Sequence, residues 1–321
     1  VETSDEPLEI LSYQNEYSGY PYPEMATFES NDERLNEIFE MCLQTLRMCS
    51  GETYYDTPFY EQLSYGGDNR PIAAISTYNS TDDRLLREVL RLYPQSENKE
   101  TGLFKSAYPS RFDFDMGSWS LAWIQSLYDY YKIRGDIEFI RPFVEKIEGV
   151  LDFYKRHLDE TTGLIGSVNN KNFIDWSITK GSLVRPNEEG EMVQSALLTL
   201  YFAHTIDCAT NLLDEIGLPE KSKEWGALAK EIKVGVYVNC WDKKEQLFRD
   251  YPNKKIFSQH TNLMAILCDL IPPAEQKEML NRILTYEDFD EMASSYFSFF
   301  LLKKKKKTQQ EHLFLTKLDF W

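Results

Sequence analysis

Apolar residues recur at steps of three and four along most of the chain, which is the spacing of an amphipathic helix. One uninterrupted series runs from Leu35 to Cys49 and another from Leu197 to Leu212. A third comprises Ile137, Ile140, Val144, Ile147, Leu151, Tyr154 and Leu158. Further helical patterns cover about 115–134, 222–240, 258–270, 274–285 and 293–303. Clear strand alternation is scarce outside the first thirty residues, so the pattern predicts an all-α fold with a short β-type N-terminal segment.

The links between the predicted helices alternate in length. Short links fall at "NSTDD", "RGD", "GLPE" and "IPPA". Between them come long links, at about 50–60, 94–114, 159–190 and 241–256. Short and long links in turn are typical of stacked helical hairpins whose long links all lie at one end.

The long links also resemble each other. "ETGLFKSAYPSRFDF" (100–114) is similar to "TTGLIGSVNNKNFIDW" (161–176), and "DKKEQLFRDYP" (242–252) is a fainter third copy. Internal similarity of this kind indicates an array of repeated units. We therefore predict a closed ring of helical hairpins, an α/α toroid.

Four long links mix aromatic residues with carboxylates: "YYDTPFYE", "YPSRFDFDMGSW", "NFIDWSI" and "FRDYPNKKIF". In any single loop the aromatic residues could merely pack that loop against the helices. Four such loops at one end favour a ligand site instead, because binding residues concentrate on loops held by a rigid scaffold. We expect a cup of aromatic faces and acids at that end of the ring.

The most crowded of these stretches is "YYDTPFYEQLSYGGDNR", residues 54–70. Carboxylates accept hydrogen bonds from sugar hydroxyls, and a pair of carboxyl groups can break a glycosidic bond. Glu61 has aromatic neighbours in sequence, which would raise the pKa of an acid by desolvation. Asp68 follows Gly66 and Gly67, where the backbone can approach a ligand closely. The alternative is a plain helix start, with Asp56 as its N-cap and Pro58 in the first turn.

Composition narrows the classes of function. The net charge of −17 argues against nucleic-acid binding, and no segment is apolar for long enough to predict a membrane span. The five cysteines are scattered and favour buried free thiols, and none of the four histidines has metal-ligand spacing. We predict no cofactor and no catalytic metal. The acidic start lacks a signal core, so the compartment stays open, with a periplasmic or secreted location favoured over the cytoplasm.

The motif "DTPFYEQLSYGGD" resembles the active-site signature of the family 78 glycoside hydrolases, the bacterial α-L-rhamnosidases. "ETYYD", "DYYKIRGD", "FIDWS", "FSQH" and "MASSYFSFF" also resemble that family, in the same order, so the resemblance covers nearly the whole chain from about residue 25. It implies a six-hairpin α/α toroid that hydrolyses terminal α-L-rhamnosides with inversion. The expected partner is a rhamnose-containing glycan or glycoside, and the oligomeric state is left open.

The resemblance also implies roles for individual residues. Glu61 matches the general acid. Asp56 and Asp68 match carboxylates that hold sugar hydroxyls. Further substrate-binding positions are matched by Tyr60, Tyr65, Trp119, Asp175 and Trp176. Thr57 stands where the family usually has Cys. Tyr60 stands where many members have Arg, so we expect the pocket to lack one cation, which bears on the identity of the sugar.

The largest departure concerns the general base, a Glu that in the family lies beyond a segment like "LDFW", whereas this sequence ends at Trp321. We expect residues 1–28 to be the tail of a preceding β domain or a linker. Residues 29–321 would then be the toroid without its last helices. Two other functions remain open: another toroidal carbohydrate enzyme, and a non-catalytic sugar-binding scaffold on the same fold.

Overall fold

The computed structural model describes residues 9–23, 25–113, 115–166, 168, 172–177, 181–182, 194–285, 289, 291–292, 294 and 296–300. The helices are α1 (Glu33–Met48), α2 (Asn69–Asn79), α3 (Arg84–Leu92), α4 (Gly117–Arg134), α5 (Ile137–Ile140), α6 (Val144–Lys155), α7 (Ala196–Ile216), α8 (Pro219–Cys240), α9 (Gln259–Leu267) and α10 (Gln276–Thr285). Two-residue strands form the antiparallel pairs β1 (Trp176–Ser177) with β2 (Gly181–Ser182), and β3 (Trp241–Asp242) with β4 (Leu247–Phe248).

The helices form an inner and an outer layer. The inner helices α2, α4, α7 and α9 contact one another in that order, and the outer helices α1, α3, α6, α8 and α10 pack against them. Burial follows the same division. On α9, Leu263, Met264, Ala265 and Ile266 are all completely buried, whereas Val234 and Val238 on α8 are exposed. This is the hairpin layering of an α/α toroid, as the apolar spacing predicted.

The sequence supplies caps at several helix ends. Ser195 accepts a hydrogen bond from the Leu198 amide at 3.2 Å and begins α7. Gly217 ends α7 in the left-handed conformation, and Pro219 opens α8 two residues later. The link between α4 and α5 repeats this chemistry, with left-handed Gly135 as the C-cap and Asp136 as the next N-cap.

The repeated loops fold into repeated turns. In each copy a left-handed residue donates its amide to the carbonyl four residues earlier: Gly102 to Asn98, Gly163 to Asp159 and Gln246 to Asp242. The next residue is a leucine with no exposed surface: Leu103, Leu164 and Leu247. The following amide then bonds a polar side chain of an inner helix, as Phe104 does to Ser120, Ile165 to Thr199 and Phe248 to Asn262. The sequence similarity therefore marks a structural device that docks each loop on the inner layer.

Some expectations need correction. Residues 9–23 and 25–30 contain no strand, although the Tyr20 amide bonds the Ser50 carbonyl and the Ala26 amide bonds the Asn79 carbonyl. The helix predicted over 137–158 is split into α5 and α6 by a 3₁₀ turn, because Pro142 has no amide hydrogen to continue the helical bonds.

Two further expectations concern the cysteines and the last helical pattern. All five cysteines are free thiols, as predicted, but Cys42 is exposed, so the expectation of a buried thiol was wrong there. Of the helix predicted over 293–303, residues 298–300 are helical, and most of the remainder lies outside the described residues.

Candidate active site

The first wall of the candidate site is the segment 56–68, whose loop 56–63 is closed by one backbone bond and one side-chain bond. The Asp56 amide donates to the Leu63 carbonyl at 3.0 Å, and the Leu63 amide donates to Asp56 Oδ1 at 2.9 Å. No α-helix begins at Asp56, so the N-cap alternative was wrong, and Asp56 fastens a loop instead. Inside the loop, the Glu61 amide donates to Thr57 Oγ1 at 3.2 Å.

Two glycines let this wall pack against Trp119. A Cβ on Gly67 would lie 2.6 Å from Trp119 Nε1, and a Cβ on Gly66 would lie 3.0 Å from the Tyr93 ring. Any larger residue would push the loop away from α4. The Gly-Gly pair was expected to bring the backbone close to a ligand, and the close approach that the structure describes is that of Gly67 to the Trp119 side chain.

The second wall is the segment 172–177, which is held by residues distant in sequence. Tyr154 on α6 donates to the Asn172 side chain at 2.9 Å, and Ser118 on α4 donates to the Phe173 carbonyl. Asp175 accepts from His260 Nε2 at 3.0 Å through Oδ2 and from Ser294 Oγ at 2.6 Å through Oδ1. Four contacts from four parts of the chain therefore fix this short segment.

The walls bring four predicted site carboxylates into one electrostatic environment. Burial raises the pKa of Asp68 from 3.8 to about 7, and the charges of Asp56, Glu61 and Asp175 add to this effect in that order. A carboxyl group with this pKa is present in both protonation states near neutral pH, so Asp68 can donate as well as accept a hydrogen bond. The acid with the raised pKa is therefore Asp68.

The sequence had predicted that raised pKa for Glu61, because of its aromatic neighbours. In the structure Glu61 is exposed, and the side chains of Phe59 and Tyr60 are 78% and 89% exposed, so these two rings do not enclose it. The carboxylate interacts instead with the Tyr65 hydroxyl. Burial raises the pKa of Tyr65 well above its ordinary value, and the hydrogen bond to Glu61 raises it further, so Tyr65 stays protonated as a donor.

The aromatic rings form a connected row between the two walls. The Tyr65 and Trp119 centroids are 5.0 Å apart, those of Trp119 and Phe173 are 6.1 Å apart, and those of Phe173 and Trp176 are 4.9 Å apart, all edge to face. Trp119 is only 7% exposed, whereas Trp176 is 49% exposed. Trp176 thus offers the larger free surface to a ligand, and Trp119 chiefly supports its neighbours.

The structure brings together Asp56, Glu61, Tyr65, Asp68, Trp119, Asp175 and Trp176, and leaves Tyr60 in solvent. The sequence reasoning missed His260 and Ser294, the partners of Asp175, and Phe173, the link in the aromatic row. The motif "FSQH" contains His260 but gave no sign of its partner, because Asp175 is 85 residues away.

Metal binding and membrane insertion can be assessed for the described part of the chain. Within it, no group of three or more His, Cys, Asp or Glu side chains is placed to hold a metal ion. No helix there is both long and apolar enough to cross a membrane.

The chain resembles known proteins both in sequence family and in fold. The family described as the bacterial alpha-L-rhamnosidase 6 hairpin glycosidase domain matches residues 23–293. The chain belongs to this family. The match includes both walls, whereas Ser294, which donates to Asp175, lies one residue beyond it. No curated protein matches the sequence.

Solved structures share the fold of this rhamnosidase-family domain. The GH78 family rhamnosidase of Bacillus sp. GL1 is 22% identical with a TM-score of 0.84, over 94% of this chain and 31% of that one. The rhamnosidase from Klebsiella oxytoca, solved with rhamnose bound, is 16% identical with a TM-score of 0.80, over 93% of this chain and 56% of that one. The chain therefore spans between about a third and a little over half of these relatives.

Proposed function

We propose that this six-hairpin domain hydrolyses terminal α-L-rhamnosides by general acid catalysis with inversion. The observation that carries the proposal is the convergence of four carboxylates on one aromatic row. Asp56, Glu61 and Asp68 come from one wall and Asp175 from the other. Carboxylates suit sugar hydroxyls, and an aromatic face suits the apolar edge of a deoxy sugar. The Klebsiella oxytoca relative, which has rhamnose bound, supports rhamnose as the sugar.

In this proposal Glu61 protonates the leaving-group oxygen. Its exposed position leaves it free to reach an oxygen at the mouth of the site, and the Tyr65 hydroxyl beside it orients the carboxylate. Asp56 and Asp68 hold sugar hydroxyls. Because the pKa of Asp68 is about 7, its protonated form can donate to a hydroxyl oxygen.

Asp175 is poorly suited to be the base that activates water. It is 1% exposed, and both of its oxygens already accept hydrogen bonds. It is better suited to fix the wall and to supply negative charge. No carboxylate among the described residues is therefore assigned as the base, and the proposal of inversion rests on the family alone.

The test is hydrolysis of an aryl α-L-rhamnoside by the full-length gene product, followed by proton NMR. We expect release of L-rhamnose with the β anomer formed first, and no release from the matching β-D-glucoside. First formation of the α anomer would contradict inversion. Release of a different sugar would favour another toroidal glycosidase, and saturable rhamnose binding without turnover would favour a binding scaffold.

A further inference from the structure

His260, the buried partner of Asp175, has no role in the proposed chemistry. His260 lies in the first turn of α9 with no exposed surface, and its Nε2 donates to Asp175. A carboxylate removed from water is strongly destabilising unless hydrogen-bond donors satisfy it. His260 and Ser294 are the donors that allow a charge to be kept at this depth.

The surroundings of the imidazole indicate which proton it carries. Nδ1 of His260 has no hydrogen-bond partner among the described residues, and the Phe297 ring lies 4.6 Å from the imidazole. An N–H group at Nδ1 would be buried against this apolar neighbour without an acceptor, which is unfavourable. The ring is therefore best satisfied with its single proton on Nε2, so it orients Asp175 without cancelling its charge.

Asp175 passes this restraint to the site in two ways. It directly precedes Trp176, the most exposed ring of the aromatic row, so fixing its carboxylate fixes the backbone that carries that ring. Its charge also adds to the effects that raise the pKa of Asp68 in the opposite wall. The contact between His260 and Asp175 thus affects both the position of the Trp176 ring and the pKa of Asp68.

We propose that His260 is a positioning residue for sugar binding: its Nε2–H group holds Asp175 from within the core and thereby sets the orientation of Trp176 at the site. The inference rests on the proposed function, since it assumes that Trp176 faces the sugar. The competing explanation is that His260 merely ties α9 to the second wall for stability. The two explanations differ in what should happen when the donor is restored in another chemical form.

The experiment compares three variants in the full chain. His260→Leu removes the donor, and His260→Gln keeps an N–H donor of similar reach. Asn262→Leu is the matched control, because Asn262 is also fully buried on α9 but its hydrogen bonds go to the Phe248 amide at 2.8 Å, the Phe248 carbonyl at 3.0 Å and the Ser258 carbonyl at 2.9 Å, outside the segment 172–177. Rhamnose affinity is measured by titration calorimetry and stability by thermal unfolding.

We expect His260→Leu to weaken rhamnose binding about tenfold or more, while His260→Gln stays within about threefold of the parent. Asn262→Leu should lower the melting temperature but leave affinity within about threefold. Unchanged affinity in His260→Leu would overturn the inference, as would equal losses in His260→Leu and Asn262→Leu.

A second readout needs no sugar and separates this inference from the proposed function. In protein labelled with 5-fluorotryptophan, the resonance assigned by Trp176→Phe should shift in His260→Leu and stay in place in Asn262→Leu. If the parent protein binds no rhamnose, the proposed function fails, and the fluorine spectrum still decides the inference. An unmoved Trp176 signal in His260→Leu would overturn it.

Discussion

The two walls of the candidate site hold their carboxylates in opposite ways. In the loop 56–63 the bonds that fix Asp56 and Glu61 come from residues at most seven positions away, and Glu61 remains exposed. In the segment 172–177 the partners of Asp175 are 85 and 119 residues away, and the carboxylate is buried. Bonds to nearby residues leave Glu61 accessible to substrate and solvent. Bonds from distant elements bury Asp175, which suits it to positioning the segment 172–177.

The largest effect should come from the exposed acid of the first wall. If Glu61 protonates the leaving group, Glu61→Gln should lower turnover by about 10²- to 10⁴-fold for an alkyl rhamnoside, which has a poor leaving group. The loss should be much smaller for a dinitrophenyl rhamnoside, which needs little protonation. Steady-state kinetics on both substrates measure the difference, with exposed Glu52→Gln as the control.

The same pair of substrates tests the alternative acid. Burial raises the pKa of Asp68, so Asp68→Asn must be measured beside Glu61→Gln. A loss that depends on the leaving group in Asp68→Asn but is uniform in Glu61→Gln would reverse the assignment. It would also show that burial selects the acid in this wall.

The next effect concerns stability and pH. Because the pKa of Asp68 is about 7 in the folded protein and near 3.8 when unfolded, the folded state binds the proton more tightly. The resulting stabilisation is complete below about pH 4 and is lost as pH rises to about 7. Asp68→Asn should therefore be more stable than the parent at pH 8, by about 2–4 kcal/mol, and similar to it at pH 4. Urea unfolding at both values measures this.

Asp82 provides a control of opposite sign. The hydrogen bond from Arg84 lowers the pKa of this carboxyl group, so its ionised form stabilises the fold above the unfolded pKa. Asp82→Asn should therefore be less stable than the parent at pH 8. If both variants respond to pH in the same direction, the environment of Asp68 is not what the structure indicates.

A substitution on the outer helix α8 should disturb the loop that leads to the second wall. A Cβ on Gly235 of α8 would lie 2.5 Å from the Thr162 carbonyl, in the turn that leads towards this wall. Gly235→Ala should destabilise the protein by about 1–3 kcal/mol through overpacking. Gly149→Ala on α6 meets nothing within 4 Å and should stabilise by up to about 1 kcal/mol. Equal effects in unfolding experiments would contradict the close contact.

The smallest expected effects compare one hydroxyl in each wall. Ser294→Ala removes a hydrogen bond to buried Asp175 and should lower the free energy of unfolding by about 1–2 kcal/mol. Thr57→Ala removes the acceptor of the Glu61 amide in an exposed loop and should change it by no more than about 0.5 kcal/mol. Denaturation curves of both variants measure the contrast, and a larger loss in Thr57→Ala would break it.

Much of the fold could be predicted because its signals are local. Apolar spacing predicted the helices, link lengths predicted the hairpins, and the similarity of three loops anticipated three turns of one geometry. The split after α5 was missed because apolar spacing continues through Pro142 and hides the break. Cys42 was misjudged because it lies inside an apolar pattern on an outer helix.

The candidate site was predictable in part. A compact motif predicted Asp56, Glu61 and Asp68 as site acids, and the structure brings them together. Their individual roles stay predictions. The exposure of Tyr60 could not be foreseen, because the loop 56–63 closes on itself through backbone bonds that leave no trace in residue type. His260 was missed for the opposite reason: its partner is set by the folding of the whole ring.

The three repeated turns have a consequence for how such a ring can change what it recognises. Each turn is complete within about seven residues, from its capping Asn or Asp to the amide that bonds an inner helix. The chain beyond that point can vary in length and chemistry without disturbing the helices beneath it. The turns therefore provide the same attachment point for different loops. A loop could be transplanted from one turn to another or between related toroids, and substrate selectivity could evolve one loop at a time.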